Sequence, residues 1–363
     1  MLLQSVCGYR YTNIYQQITN KKPYDNCHTS NKNISFMGTT TAGKPIRKLK
    51  NVPDAYFGGI TIDGDHLEKI KQNLVKCTTV KKAVQYLDKY KPNMLRVEKS
   101  MLERFKEVAF ESSRKTFPDL LQMWYKDALM NLKIEEFAVI DMIDRIALEL
   151  SPETTLAVWR ETTDCRKIIL DEDPNRRFKR KTVLEALGKI KPKRGEEKIM
   201  ESLMESASYL PTSATSENAF IIKYADRSHN EICNRLITPS LLSIDHIFAA
   251  SKGGPNDMSN FVGSSAGANV IKQDMWFKKF VRRFPEVITN CQKYIEFFIN
   301  IINNGGFKGN QAYPYKIRER MIQESDGKVK LDLSSLKYTE DEAFALEKIS
   351  NSRNKRSKDK VNE

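Results

Sequence analysis

The sequence predicts a mainly α protein, α+β overall, with one small strand–loop–strand–helix module embedded near residues 220–285. Three observations predict it. Apolar residues recur at three- and four-residue steps from residue 65 to about 178, the spacing of a buried helix face. Two short apolar runs, at residues 241–247 and 260–263, flank the turn cluster Gly253-Gly254-Pro255-Asn256-Asp257. That pattern reads as two strands joined by a loop. Helical spacing then returns in Ile271, Met275, Trp276, Phe280 and Phe284.

In chain order, residues 1–62 lack a helical period and read as an irregular N-terminal region, with turn signals at Lys21-Lys22-Pro23 and Gly43-Lys44-Pro45. Cys27 and His28 are adjacent, but no second pair lies nearby, so loop residues describe them better than a metal site. Lys44, Arg47, Lys48 and Lys50 suit either a nucleic-acid contact or a flexible basic loop. Tyr56-Phe57-Gly58-Gly59-Ile60 reads as a buried turn into a short strand.

Residues 63–210 read as a helical domain. Leu67, Ile70 and Leu74 form one face, and Met101, Leu102, Phe105 and Val108 another that ends near Pro118. Ile134, Phe137, Ile140, Ile143, Ala147 and Leu150 continue to Ser151-Pro152. These stripes are bundle core, and the carboxylates between them form a solvated face. The acidic Asp171-Glu172-Asp173 gives way to Arg176, Arg177, Lys179, Arg180 and Lys181, a basic run that fits a duplex guide and a solvated edge equally. Pro211-Thr212-Ser213-Ala214-Thr215-Ser216 reads as a linker into the module, assigned to residues 211–285. Residues 286–350 read as helices packing back on it. Residues 351–363 are polar and basic and read as a disordered tail.

Net charge is +14, from 60 basic against 46 acidic residues, which suits a polyanionic partner. Six cysteines are scattered without a CxxC pair, so no structural zinc and no disulfide framework is expected. No apolar stretch reaches membrane-span length and no signal-like core follows Met1. A cytoplasmic protein with no membrane partner is the expectation.

The chemistry concentrates in Asp245-His246. Neighbours on a strand face opposite ways, so one residue can bind while the other moves a proton. An imidazole titrates near neutral pH and suits a general base acting on water. Asp245 suits a hard divalent cation, and Asn269 offers a second oxygen from the helix. Few protein ligands plus water is the pattern of magnesium bound with substrate phosphates. Lys278, Lys279, Arg282 and Arg283 suit a nucleic-acid backbone, or simply the solvated side of an amphipathic helix.

Asp245-His246-Ile247, Ser251-Lys252-Gly253-Gly254, Asn260-Phe261-Val262 and Asn269 with Lys272 together resemble the HNH endonuclease family and its ββα-metal core. The resemblance covers residues 220–285. It implies His246 as general base and Asp245 and Asn269 as ligands to Mg2+ or Mn2+. It implies that Asn260 braces the loop around His246, that Lys272 lies near the phosphate, and that Lys252 belongs to the nucleic-acid face. Asn269 replaces the family's third namesake histidine, and Ala249 stands where proline is frequent. The implied activity is hydrolysis of phosphodiester bonds in nucleic acid, DNA ahead of RNA, leaving a 3′-hydroxyl and a 5′-phosphate. A phage, mobile-element or antiviral-defence setting goes with it. For the helical domain three roles stay open: a sensor, a homodimer interface or a surface that docks a protein partner. Two other readings stay open: an inactive core that only binds nucleic acid, and a docking scaffold.

Overall fold

The computed structural model describes residues 43–111, 114–170 and 180–359. The Cys27-His28 pair and the basic residues Arg176, Arg177 and Lys179 lie outside the described residues. Among the described residues the first α-helices are α1 (Lys44–Arg47), α2 (Gly64–Lys76) and α3 (Val80–Leu87). Then follow α4 (Arg96–Ala109), α5 (Phe117–Ala147), α6 (Pro152–Leu170), α7 (Arg180–Leu187), α8 (Glu197–Ser208), α9 (Glu217–Tyr224) and α10 (His229–Ile237). The strands β1 (Leu242–His246) and β2 (Phe261–Ser265) lead into α11 (Ala266–Lys272), α12 (Phe277–Arg283), α13 (Glu286–Asn303), α14 (Tyr313–Glu324) and α15 (Glu340–Asp359). The protein is therefore mainly α, and the sheet among the described residues is the antiparallel pair β1–β2. No described helix is long and apolar enough to cross a membrane.

The chain divides into two compact units. Among the described residues, one is Arg96–Ile232 and the other is residues 43–95 with Cys233 onward. In the first, α6, α8 and α9 each pack on α5. The Thr116 side chain caps the Asp119 N–H and the Asp119 carboxylate accepts the Thr116 N–H at 2.7 Å, a reciprocal box at the start of α5. Pro118 sits in that first turn, where its missing N–H costs nothing. Val139, Ile143 and Ala147 pack with Val158, Leu187, Leu203 and Ala207. Glu196 accepts the Ser151 N–H at 2.7 Å, the Thr154 hydroxyl at 2.8 Å and the Lys193 N–H at 2.8 Å. These bonds, the one from the Ser151 backbone foremost, hold its carboxyl down to about 2.

The segment at residues 211–216, expected as a linker, lies inside this unit. Thr212 and Thr215 close a hydrogen-bonded turn, and Ser216 caps α9 by accepting the Ala219 N–H at 3.2 Å. Because α9 packs on α5, the division falls after Ile232 and not near 211.

The second unit explains why residues 43–62 lack a helical period. After the single turn of α1 they form an irregular segment laid along the hairpin. The Leu242 N–H donates to the Ile62 carbonyl at 2.8 Å, and the Ala55 N–H to the Gly263 carbonyl at 3.1 Å. Ile46, Val52, Ala55 and Tyr56 share one core with Phe261, Val262, Phe277, Phe280, Tyr294 and Phe298. The far edge of β2 is closed by phenols: the Gly263 N–H donates to the Tyr294 hydroxyl at 2.7 Å, and the Tyr313 hydroxyl donates to the Phe261 carbonyl at 2.9 Å. The two hydroxyls lie 2.7 Å apart, so Tyr294 can donate to Tyr313 and complete the relay. Burial pushes both phenols up and keeps them protonated.

The helix expected from Asn269 to about Phe284 is broken in two. Gln273 turns the chain with φ 48° between α11 and α12. The apolar spacing persists across the break because Ala268, Phe277, Phe280 and Val281 all face the same core. At the other end, α15 is helical through residues 351–359, where a disordered tail was expected. Its first turn carries Glu340, Asp341 and Glu342, charges that the positive end of a helix dipole favours.

Candidate active site

Alternation along β1 sends Ser243 and Asp245 to one face and His246 to the other. On α11, Asn269 and Lys272 are three residues apart and so share a side. These two faces meet. The Asn269 Nδ2 donates to the Ser243 Oγ at 2.9 Å, and the Lys272 Nζ lies 2.9 Å from the Asp245 Oδ2. The same ammonium donates to the His246 carbonyl at 2.5 Å. Lys272 is fully buried, so it reaches the strand and is not presented to solvent.

Asp245 has a further partner that the sequence did not suggest. The Tyr56 hydroxyl donates to the same Oδ2 at 2.7 Å. Burial and the neighbouring Asp245 push the Tyr56 phenol well up, which keeps it a donor. Tyr56 is held there by Asp54, also fully buried. The Asp54 carboxylate accepts the N–H groups of Tyr56 at 2.7 Å, Phe57 at 2.9 Å and Ser265 at 2.6 Å. It therefore clamps the turn at residues 54–57 to the N-cap of α11. Burial pushes its carboxyl up, against the downward pull of those bonds.

His246 packs edge-on against its cross-strand neighbour Phe261, with ring centroids 4.7 Å apart. Its Nε2 lies 3.3 Å from the Asn256 Oδ1. An amide oxygen only accepts, so a hydrogen bond here would have Nε2 as its donor. Asn260 is fully buried and braces the loop that follows. Its Oδ1 accepts the Phe248 N–H at 2.8 Å, and its Nδ2 donates to the carbonyls of Phe248 and Pro255, both at 2.9 Å. Its own carbonyl accepts the Ile247 N–H at 2.9 Å. Glycine is required at 254, where a Cβ would stand 1.9 Å from the Phe248 carbonyl oxygen, and it suits 253, where φ is +89°.

The basic residues are dispersed. The Lys252 ammonium donates to the Asp274 carbonyl and lies 3.3 Å from the Asp274 carboxylate. On α12, Lys278, Lys279 and Arg282 are exposed, Lys278 lying 3.6 Å from Asp326. Arg283 is half-buried with its guanidinium 5.7 Å from the Phe284 ring. Opposite them, Phe277, Phe280 and Val281 are buried, so the basic stripe is the solvent side of an amphipathic helix.

Among the described residues, no group of three or more His, Cys, Asp or Glu side chains is gathered as a metal cage. The oxygen donors on the facing sides of β1 and α11 are few and hard. Asp245 carries its contacts on Oδ2, and Asn269 carries its contact on Nδ2. The Oδ1 atom of each takes no hydrogen bond among the described residues. Two oxygens supplemented by water fit a magnesium-type ion better than a softer one. Compared with protein-family models, with curated proteins and with solved structures, the chain gives no match to any of the three.

Proposed function

We infer that the protein is a metal-dependent endonuclease of the HNH type, hydrolysing phosphodiester bonds in nucleic acid, with DNA ahead of RNA. The observation that carries this reading is the convergence at the end of β1: Asn269 and Lys272 meet the Asp245 face while His246 turns the other way toward Asn256. His246 accepts the proton of an attacking water, and Asn256 stands beside its Nε2. Asn260 fixes the backbone that follows His246, so the imidazole stands at the strand end just before a braced loop. Asp245 and Asn269 would hold Mg2+ or Mn2+, whose chemistry when bound is to stabilise charge growing on phosphoryl oxygens. Lys272 and Tyr56 fix the orientation of Asp245, acting through it and not on substrate.

One observation favours a second reading, an inactive core that binds nucleic acid. Asp245 Oδ2 is already satisfied by a buried ammonium and a phenol. The two readings separate when purified protein is incubated with end-labelled DNA and RNA, with and without Mg2+ or Mn2+. Nuclease action requires cleavage that depends on metal and vanishes in His246→Ala. Retained binding without cleavage under every metal condition gives the second reading its case.

A further inference from the structure

Beside His246 stands a pair of rings that the reaction does not use. Phe248 and Trp276 stack with centroids 5.4 Å apart and planes 20° from parallel. Phe248 lies two residues past His246, so their Cα atoms are within about 7 Å, the reach of two extended residues. Its backbone is pinned on both sides by Asn260. Trp276 follows the break after α11 and keeps 39% of its surface exposed, unlike the buried aromatic residues Phe277 and Phe280 that come after it. The Lys252 ammonium lies 5.5 Å from the centre of the Trp276 ring and is bonded to Asp274, so it ties the Gly-Gly loop to this corner. Exposed Lys278 and Lys279 follow directly.

The partly exposed indole is backed by a second ring and has one ammonium, that of Lys252, over it. We propose that Trp276, backed by Phe248, is a stacking platform for one unpaired nucleobase next to the scissile phosphate, and that the preferred substrate is single-stranded or locally unpaired. A flat π surface beside positive charge is the chemistry by which unpaired strands are held. A base kept inside a duplex cannot lie face to face on Trp276. The inference rests on the nuclease reading for where the phosphate lies.

The test uses the full chain carrying His246→Ala without added metal, titrated with a short single-stranded DNA containing one 2-aminopurine. The RNA equivalent and the matching duplex form further arms. Stacking predicts quenched 2-aminopurine fluorescence on binding. It also predicts a roughly 10- to 100-fold loss of single-strand affinity in Trp276→Ala, largely restored in Trp276→Phe, with duplex affinity little changed. Equal thermal melting of the variants excludes misfolding as the cause. Single-strand binding that ignores Trp276→Ala, or an equal loss on the duplex, overturns the platform. If the unsubstituted protein cleaves nothing while the stacking result stands, the nuclease reading falls alone. If it cleaves while Trp276→Ala binds normally, the platform falls alone. The DNA and RNA arms decide which strand the platform prefers.

Discussion

Lys272 and Asp245 form an ion pair at 2.9 Å that is almost wholly removed from water, at 0% and 5% exposure. Two charges buried together are stable only while both are present. Removing one leaves the other desolvated and uncompensated, at about 3–5 kcal/mol. Lys272→Met should therefore lower unfolding stability by that order in urea titration. Asp245→Asn with Lys272→Met should cost less than the sum of the single substitutions. Strict additivity would show that the pair is not coupled.

Tyr56 acts on the site through one bond. Tyr56→Phe removes the hydroxyl from Asp245 Oδ2 with almost no change of shape. A lost buried hydrogen bond costs about 1–3 kcal/mol. If Asp245 holds the metal, loss of its outer partner should also weaken metal-dependent cleavage about 10- to 100-fold, in apparent metal affinity or rate. Metal titrations of cleavage by the variant and parent check both figures.

The phenol relay on β2 makes a separate prediction. Tyr294→Phe strips the buried Gly263 N–H of its acceptor and leaves Tyr313 with only the Phe261 carbonyl as partner. Destabilisation of about 1–3 kcal/mol follows. Tyr313→Phe should act similarly through the Phe261 carbonyl. Thermal melting of the two variants and their double mutant reads the relay, whose coupling should make the double less than additive.

Acid should loosen the helical unit through Glu196. Its carboxyl is held down to about 2, below its ordinary value of 4.5. A depressed carboxyl stabilises the fold fully above the unfolded value and loses that contribution as pH falls through the folded one. Stability should thus decline between about pH 4.5 and pH 2, and Glu196→Gln should flatten that part of the curve. Denaturation at stepped pH measures the slope. An unchanged slope in the variant would assign acid sensitivity to other groups.

Much of this arrangement was legible from local spacing. The three-residue step from Asn269 to Lys272 puts both on one side of a helix, and the alternation of Ser243 and Asp245 gives them a common strand face. The turn glycines announce the loop between. What was not legible depends on distance along the chain. Tyr56 meets Asp245 across 189 positions, and Asp54 meets Ser265 across 211. Nothing in the periodicity near either end signals the other. The helix break at Gln273 was hidden because its apolar spacing continues unbroken. The supposed linker at residues 211–216 carries the small polar residues of a loop, which also make good caps, and here they cap α9. Asn256 looked like turn material, and only its place opposite the imidazole gives it a chemical part.

The clamp formed by Asp54 has a consequence for synthesis. The hairpin and its following helix are not a self-sufficient cassette. Their flank is supplied by chain made almost two hundred residues earlier, and the β2 edge is sealed by Tyr294 and Tyr313, made later. Contacts this far apart in sequence form late, because closing long loops comes first. A nascent chain stalled short of residue 313 should therefore hold a hairpin whose β2 edge is still unsealed.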